Sequence, residues 1–281
     1  MIGYKLLLSC WRYFAVLYLD DDAKFKDFQI IRPGWYWGFT YDQCGRFFIS
    51  QKHSDPPGYY PIYVLDHNFK VIRRINELPE YGSNVHQIQC YGEKLYVLCA
   101  HNGHVLVYDL NNIDGDPEIW KPEGLQRYSY MNTLFFHKDH IYIMEHNMGY
   151  NNSIISEYMV NSRRLEHKHI LYHKKCHNIF ELNNEMCYCA SHDGCICNLR
   201  GESVVNIVDG SFVRGVAMDS RFLFVGDSKI AERSNRGVGD GRIMVYNTDN
   251  SEFVRSINIE KCGQIHEIRL LNRDDLCHNG Y

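Results

Sequence analysis

The sequence lacks any hydrophobic run long enough to cross a membrane as a helix, which needs about 18 consecutive apolar residues. The amino terminus has only a short apolar run at Leu6–Leu8. It has neither the long hydrophobic region nor the small-residue cleavage site of a secretory signal. We therefore expect a β-strand at this end of the chain, no membrane partner and a cytoplasmic location.

The chain also lacks an excess of positive charge. Lys and Arg number 30 against 34 Asp and Glu, which gives the 281 residues a formal net charge of -4. Proteins that hold nucleic acid usually carry a basic excess, because they must contact phosphates. This balance argues against nucleic acid as a partner.

Helical periodicity and two common functional motifs are missing as well. No segment keeps a 3.6-residue apolar period, so a helical layer is not expected. No Gly-x-Ser-x-Gly nucleophile elbow is present. The glycine-rich stretch Gly237–Gly241 lacks the strand–turn–helix context of a phosphate-binding loop.

The cysteines number 11, an odd count. Several lie in strand-like runs, as in Cys187–Cys189 and Cys195–Cys197, where alternation puts both cysteines of a pair on one face of their strand. We interpret them as reduced, small apolar side chains of a cytosolic protein. A zinc site built from these four cysteines is the alternative, although its spacing differs from the common Cys-x-x-Cys pattern.

The sequence is rich in short alternating runs of Tyr, Val, Ile and Phe, separated by Asn, Asp and Gly. Examples are LYVLCA (95–100), IYIME (141–145) and FLFVG (222–226). These runs are strand signals at close spacing. They recur in groups of four at intervals of about 40–50 residues, which is typical of propeller blades.

The two chain ends complete this repeat. The run QIHEIRLL (264–271) reads as a first strand with no second strand after it, and the amino terminus supplies three more strands. Joining the ends removes exposed sheet edges. The sequence thus predicts an all-β fold, a single β-propeller domain over residues 1–281 with six blades, closed by N-terminal strands that pair with a C-terminal inner strand. Five or seven blades, or a pair of β-sandwiches, are the structural alternatives.

Aligning the first strands of the blades gives a column of six residues: Gly38, His86, Asn132, His177, Arg214 and His266. In a propeller, these positions meet at one mouth of the central channel. His86, His177 and His266 occupy alternate blades, and three neutral imidazoles with an open position suit a divalent transition metal. We predict that they bind Fe, Cu, Zn, Mn or Ni. The alternative is that each histidine caps a strand or bonds a nearby carbonyl.

Further side chains are expected at the same mouth. Predicted catalytic acid or base groups stand at the ends of second strands: His53, His101 and His192. Arg214 would bind the negative group of a substrate, and Asn132 and Trp37 would hold or wall that substrate. Ordinary loop, turn and core roles are the alternatives for all of them.

Five segments follow one another along this column: HQI (86–88), MNTL (131–134), CHN (176–178), FVRGVA (212–217) and VGDSKIAER (225–233). In these segments the chain resembles an uncharacterised bacterial family of β-propeller-like proteins of unknown function, which has HEI, NGL, HSPRW, RGLAF and GLSK-x-RE in the same order. The chain departs from that family after His177, where Asn-Ile-Phe replaces Ser-Pro-Arg, and at His266. The resemblance implies a propeller with an important column and implies no substrate.

These features together predict a metal-dependent enzyme that acts on a small anionic or polar molecule. The metal would serve as a Lewis acid or would activate water or oxygen. Lyase, isomerase or hydrolase chemistry is favoured slightly over oxygenase chemistry, because a lyase or isomerase needs only Lewis acidity and a base. A non-catalytic propeller that binds a ligand or a protein is the alternative function.

Overall fold

The computed structural model describes residues 3–52, 60–75, 84–125, 129–207 and 211–278. Over these residues the chain forms 24 β-strands and two short 3₁₀-helices, and no α-helix. No helix within the described ranges is long and apolar enough to cross a bilayer. The prediction of an all-β fold is confirmed.

The strands lie in six four-stranded antiparallel sheets, called blades below. The first twelve strands are β1 (Tyr4–Cys10), β2 (Tyr13–Leu19), β3 (Phe25–Pro33), β4 (Trp35–Tyr41), β5 (Phe47–Lys52), β6 (Ile62–Leu65), β7 (Val71–Ile75), β8 (Val85–Tyr91), β9 (Lys94–Cys99), β10 (His104–Asp109), β11 (Glu118–Trp120) and β12 (Met131–His137). The next twelve are β13 (His140–Glu145), β14 (Ile154–Met159), β15 (Leu165–Ile170), β16 (His177–Leu182), β17 (Glu185–Ala190), β18 (Cys195–Asn198), β19 (Ser203–Asn206), β20 (Ser211–Met218), β21 (Phe222–Lys229), β22 (Gly241–Asn247), β23 (Phe253–Ile259) and β24 (Ile265–Leu270). The 3₁₀-helices are Asn147–Gly149 and Arg233–Asn235.

Blades 1 to 5 are built from consecutive strands: β4–β7, β8–β11, β12–β15, β16–β19 and β20–β23. Blade 6 has the order β24-β1-β2-β3, so it joins the two ends of the chain. In the antiparallel pair of β24 and β1, Leu8 lies opposite Ile268 and Leu6 lies opposite Leu270. The predicted six blades and the predicted closure are both confirmed.

The blades divide between two compact units. Unit 1 is Met1–Tyr36 with Cys176–Asn279 and holds blades 4, 5 and 6. Unit 2 is Trp37–Lys175 with Gly280–Tyr281 and holds blades 1, 2 and 3, apart from the first two residues of β4. The single domain expected over residues 1–281 stays a prediction.

Within each unit, neighbouring blades pack face to face through apolar clusters. Blades 5 and 6 bury Phe224 and Ile268 in one cluster of unit 1, and a second cluster there joins blades 4 and 5. In unit 2, Leu98 and Ile143 belong to a cluster shared by blades 2 and 3. Each fully buried side chain of this size contributes about 1.5–3 kcal/mol to the free energy of unfolding.

The first strand of a blade is more buried than the fourth. In blade 6 every residue of β24 is buried, whereas β3 is mostly exposed. The exposed fourth strands carry charged side chains, such as Lys26 on β3 and Arg73 on β7. Charge on an outer strand discourages edge-to-edge association with other sheets.

A β-bulge lies near the start of the first strand in blades 2 to 6. The residues that the pairing register skips are His86, Asn132, Asn178, Arg214 with Gly215, and His266. Bulges redirect side chains and are frequent beside functional sites. The column predicted from the sequence agrees with this set in four of the five blades. In blade 4 it is displaced by one residue, because the skipped residue is Asn178 and not His177.

Candidate functional site

An open cavity of about 930 Å³ lies in unit 2, beside blades 2 and 3. Three segments line it: the turn after β9 at residues 101–103, residues 121–125 and 129–130 between β11 and β12, and the loop around Met148 that joins β13 to β14. Pockets for small molecules usually measure about 300–1,000 Å³. The size of this cavity therefore suits a small molecule.

Tyr130 lines the cavity and contacts three histidines. Its ring lies edge-on to the rings of His101 and His86, with centroids 5.5 and 5.8 Å away, and lies 5.7 Å from the ring of His146. Its hydroxyl accepts a hydrogen bond of 2.8 Å from Asn84 Nδ2. The predicted acid–base residue His101 and the predicted ligand His86 thus share one aromatic neighbour.

The cavity wall has an unusual backbone. Three lining residues have left-handed backbone conformations: Tyr130 (φ 46°), Asn147 (φ 53°) and Met148 (φ 51°). Asn84, which bonds to Tyr130, has one as well (φ 65°). Tyr and Met rarely adopt this region, and each such residue costs about 1–3 kcal/mol. Two backbone hydrogen bonds hold the loops, from His146 N–H to Tyr130 O at 3.1 Å and from Asn147 N–H to Ser129 O at 2.8 Å. The surrounding structure therefore holds this wall in a preformed shape.

The cavity lining is mostly apolar, and among its described residues Lys121 carries the positive charge. It includes Lys121, His101 and His104, and no Asp or Glu is among the described lining residues. Partial burial, followed by the charge of Lys121, lowers the pKa of His104. This imidazole is therefore neutral near pH 7, and Lys121 is left as a fixed positive charge that attracts anions.

Asn147 gives the wall a further polar group. Its Nδ2 donates a hydrogen bond of 2.7 Å to Asn152 O, while its buried Oδ1 accepts no hydrogen bond from the described residues. A buried acceptor left this way costs about 1–3 kcal/mol. The side chains of Met148 and Tyr150 are exposed at the same loop and add apolar surface. The cavity can thus offer charge, hydrogen bonds and apolar contact to one molecule.

Three of the predicted site residues lie together in unit 2: His86, Asn132 and Trp37. His86 is buried, its Nδ1 lies 3.1 Å from the backbone oxygen of Asn132, and its ring packs on Trp37 with centroids 4.5 Å apart. A carbonyl only accepts, so Nδ1 of His86 carries a proton. His53, a predicted acid–base residue, lies outside the described residues.

In unit 1, His177 and His192 both contact Phe212. Each imidazole lies edge-on to the phenyl ring, with centroids 5.4 Å apart. His177 Nδ1 lies 2.9 Å from Ser191 Oγ, which can also donate to Cys189 O at 3.4 Å. Either His177 Nδ1 or Ser191 Oγ can donate the hydrogen bond that joins them. The structure therefore brings together these two predicted site residues.

Arg214 and His266 are both buried in unit 1. His266 Nδ1 lies 2.5 Å from the backbone oxygen of Tyr36. Burial, and then the charge of Arg214, hold the pKa of His266 well below its ordinary value. The ring is therefore neutral at pH 7, with its proton on Nδ1.

Comparison with known proteins gives structural neighbours and no sequence relatives. No family model and no curated protein matches the chain. A structure described as a nidogen/laminin complex aligns with a TM-score of 0.71 and 12% identity, over 97% of this chain and 100% of that chain. The WD40 domain of Neurospora crassa Pan2 aligns with a TM-score of 0.57 and 12% identity, over 84% and 69% of the two chains. The computationally designed protein Ika8 aligns with a TM-score of 0.51 and 13% identity, over 94% and 80%.

The fold is a six-bladed β-propeller. WD40 repeats build propellers of four-stranded blades, and six such blades are present here. At 12–13% identity these neighbours show the fold of this propeller and nothing about its activity. Because no family model matches, the resemblance to an uncharacterised bacterial family is supported only as far as the propeller itself. The metal-binding and catalytic roles expected from the sequence stay predictions.

Sequence reasoning found His101 but missed Tyr130 beside it. Tyr130 lies between β11 and β12, in a connection that carries no periodic pattern. One signal was available: Asn84 and Tyr130 each stand directly before the first strand of neighbouring blades. The same alignment places these two hydrogen-bonded residues in one column, two positions before His86 and Asn132.

Proposed function

We propose that this propeller binds a small organic anion in the cavity of unit 2. The observation that carries the proposal is a preformed cavity of about 930 Å³ whose described lining holds Lys121 and two histidines and no carboxylate. A fixed cation in a partly enclosed site attracts negative charge, and carboxylates beside it would cancel that attraction. An acidic group of the ligand would lie near Lys121.

The remaining lining supports an organic ligand over a bare inorganic ion. Met148 and Tyr150 give apolar surface, and the amides of Asn102 and Asn151 give hydrogen bonds. Ligand sites commonly combine apolar contact with a few polar groups that orient the molecule. The ligand class that fits is therefore a small organic acid with an apolar portion.

His101 and His104 give the cavity groups that can move a proton. His104 is neutral near pH 7 because its pKa is lowered, first by burial and then by Lys121. His101 is exposed and lies edge-on to Tyr130, which orients its ring. Acid–base chemistry on a bound acid would use these two imidazoles.

Isothermal titration calorimetry with a panel of small organic acids and their neutral amides tests the proposal. We expect an acid to bind more tightly than its amide. Lys121→Gln should weaken binding of that acid by about tenfold, because a hydrogen bond to a charged group contributes about 1.5–3 kcal/mol. Lys94→Gln is the matched control, since Lys94 is exposed and is not part of the lining. Equal binding of acid and amide, or equal affinities of the two variants, would overturn the proposal.

The second candidate is the metal-dependent enzyme expected from the sequence, with His86, His177 and His266 as ligands. One observation favours it: in each of the three rings, Nδ1 is hydrogen-bonded to a protein oxygen. In metal centres, the ring nitrogen of a histidine that does not bind the metal usually takes part in a hydrogen bond of this kind. Arg214, buried near His266, would then bind the negative group of a substrate.

Elemental analysis of protein purified without a histidine tag tests this second candidate. We expect the double variant His177→Ala/His266→Ala to hold about one transition-metal ion per chain less than the wild-type protein. The control is His67→Ala/His167→Ala, which removes two exposed histidines instead. Folding of each variant is checked by circular dichroism. Metal-free wild-type protein, or equal retention of metal in the two variants, would rule out this centre.

A further inference from the structure

Four cysteines of blade 4 lie on two different faces of their sheet. In the pairing of β17 with β18, Cys189 is opposite Ile196 and Tyr188 is opposite Cys197. Partners across an antiparallel pair point to the same side. Cys187 and Cys189 therefore point into the apolar cluster between blades 4 and 5, whereas Cys195 and Cys197 point away from it. A site made of all four cysteines, the alternative raised by the sequence, is thus excluded.

Cys195 and Cys197 place two sulfurs side by side. Their Sγ atoms are 3.5 Å apart, and both side chains are buried. Two zinc–sulfur bonds of about 2.3 Å at a tetrahedral angle would hold the sulfurs about 3.8 Å apart. The two sulfurs therefore already stand within a few tenths of an ångström of the spacing that a shared metal ion requires.

One hydrogen bond joins the two thiols, and either sulfur can donate it. The thiolate is the form of cysteine that binds metal, so each sulfur would lose its proton on coordination.

The other cysteine pair of the same blade gives the contrast. Cys187 and Cys189 have the same spacing along one strand, but they point into the apolar cluster between blades 4 and 5. They pack among Ile196, Val225 and other apolar side chains and act as small fillers. The cysteine-rich sequence of this blade therefore contains one filler pair and one pair suited to a ligand.

We propose that Cys195 and Cys197 form a two-sulfur binding site for a soft metal ion of the zinc class. Each thiol that coordinates gives up one proton to solvent, so binding of one Zn²⁺ by both sulfurs releases two protons. Thiolates select zinc, copper(I) and similar ions over magnesium and calcium. This site is separate from the cavity of unit 2 and does not depend on the proposed function.

Cobalt substitution in the full chain tests the proposal, because cobalt bound by thiolate shows a near-ultraviolet charge-transfer band whose intensity grows with the number of sulfurs. We expect reduced wild-type protein to show this band and to lose cobalt on addition of Zn²⁺. Cys195→Ala/Cys197→Ala should abolish the band and weaken Zn²⁺ binding by about 100-fold or more. The matched control is Cys187→Ala/Cys189→Ala, which removes two thiols at the same spacing from the opposite face and should keep the band.

X-ray absorption at the zinc edge of the wild-type protein gives a second measurement that needs no variant to fold. The proposal predicts about two sulfur neighbours near 2.3 Å from zinc. A shell of nitrogen and oxygen alone would overturn it and would point instead to a histidine centre. A cobalt band of equal intensity in both double variants would overturn it as well.

Discussion

The hydroxyl of Tyr130 accepts a hydrogen bond of 2.8 Å from the side chain of Asn84. Both residues are left-handed, and each stands directly before the first strand of its blade. Asn84 also accepts a hydrogen bond of 2.5 Å from the hydroxyl of Tyr60. This chain of three side chains connects the loops of blades 1, 2 and 3 within unit 2 and fixes one wall of the cavity.

Tyr130→Phe removes the hydroxyl that accepts the hydrogen bond from Asn84 Nδ2, so this buried amide loses that acceptor. We expect the free energy of unfolding to fall by about 1–3 kcal/mol, measured by urea denaturation. Tyr150→Phe is the control, because Tyr150 lines the same cavity but is 80% exposed and should change stability by less than about 0.5 kcal/mol. Equal effects of the two changes would contradict the role given to this hydrogen bond.

Gly226→Ala tests the packing that positions Arg214. A Cβ atom at residue 226 would meet the backbone oxygen of Arg214 well inside van der Waals contact, and the side chain of Ile265 lies close as well. We expect a loss of about 1–3 kcal/mol or more in the free energy of unfolding, since a backbone atom must shift. Gly45→Ala is the comparison: nothing lies within 4 Å of its Cβ position, so only its positive φ of 74° opposes the change. Stability losses of equal size would contradict the close approach at Gly226.

Asp275 makes the stability of unit 1 depend on pH. Its carboxyl group accepts hydrogen bonds from the backbone of Leu270, Cys277 and Met218, and burial raises its pKa to about 7 from an ordinary value of 3.8. Between those two values the folded state holds a proton that the unfolded state has released. This contribution to the free energy of unfolding therefore falls as pH rises from about 4 to 7 and is constant above that range. At 1.36 kcal/mol per pKa unit it amounts to at most about 4 kcal/mol.

Urea denaturation at pH 5 and pH 8 measures this effect. Asp275→Asn should lose most of the difference between the two pH values, because its side chain does not titrate. Asp249→Asn, at an exposed turn, should keep the wild-type difference. A difference in Asp275→Asn as large as in the wild type would show that Asp275 is not the group responsible.

The fold could be predicted from the sequence because its strands have clear sequence signals. Alternating runs such as Ile141–Glu145 are bounded by turn residues, and the unpaired run at Ile265–Leu270 needs the N-terminal strands as partners. Both features depend on the alternation of apolar and polar residues and on turn residues, which can be read directly from the sequence. Blade count and closure were predictable for this reason.

The register inside a strand was harder to predict. The bulge in blade 4 skips Asn178, whose φ is 47°, and nothing in the alternation of apolar residues reveals that extra residue. The sequence alignment therefore put His177 in the column of His86 and His266, although Asn178 is the residue at that position of the bulge. The sequence also did not reveal that Cys189 and Cys195 lie on opposite faces of the sheet. This depends on the length of the turn between β17 and β18, which sets the register of the two strands.

The cavity was beyond sequence reasoning, because its wall comes from irregular loops. Asn147 and Met148 adopt left-handed conformations that only backbone hydrogen bonds, such as that to Ser129, explain. Such bonds join segments that are distant in sequence and follow no repeat. His101 could be chosen as a site residue from the repeat, but its neighbour Tyr130 could not.

The most direct test of the proposed function is a crystal structure of the full chain with the organic acid that binds most tightly in the calorimetric panel. The account predicts density for one molecule in the cavity of unit 2, with its acidic group within hydrogen-bonding distance of Lys121 Nζ and its apolar part against Met148 or Tyr150. Density at another place on the chain, with this cavity holding only solvent, would contradict it.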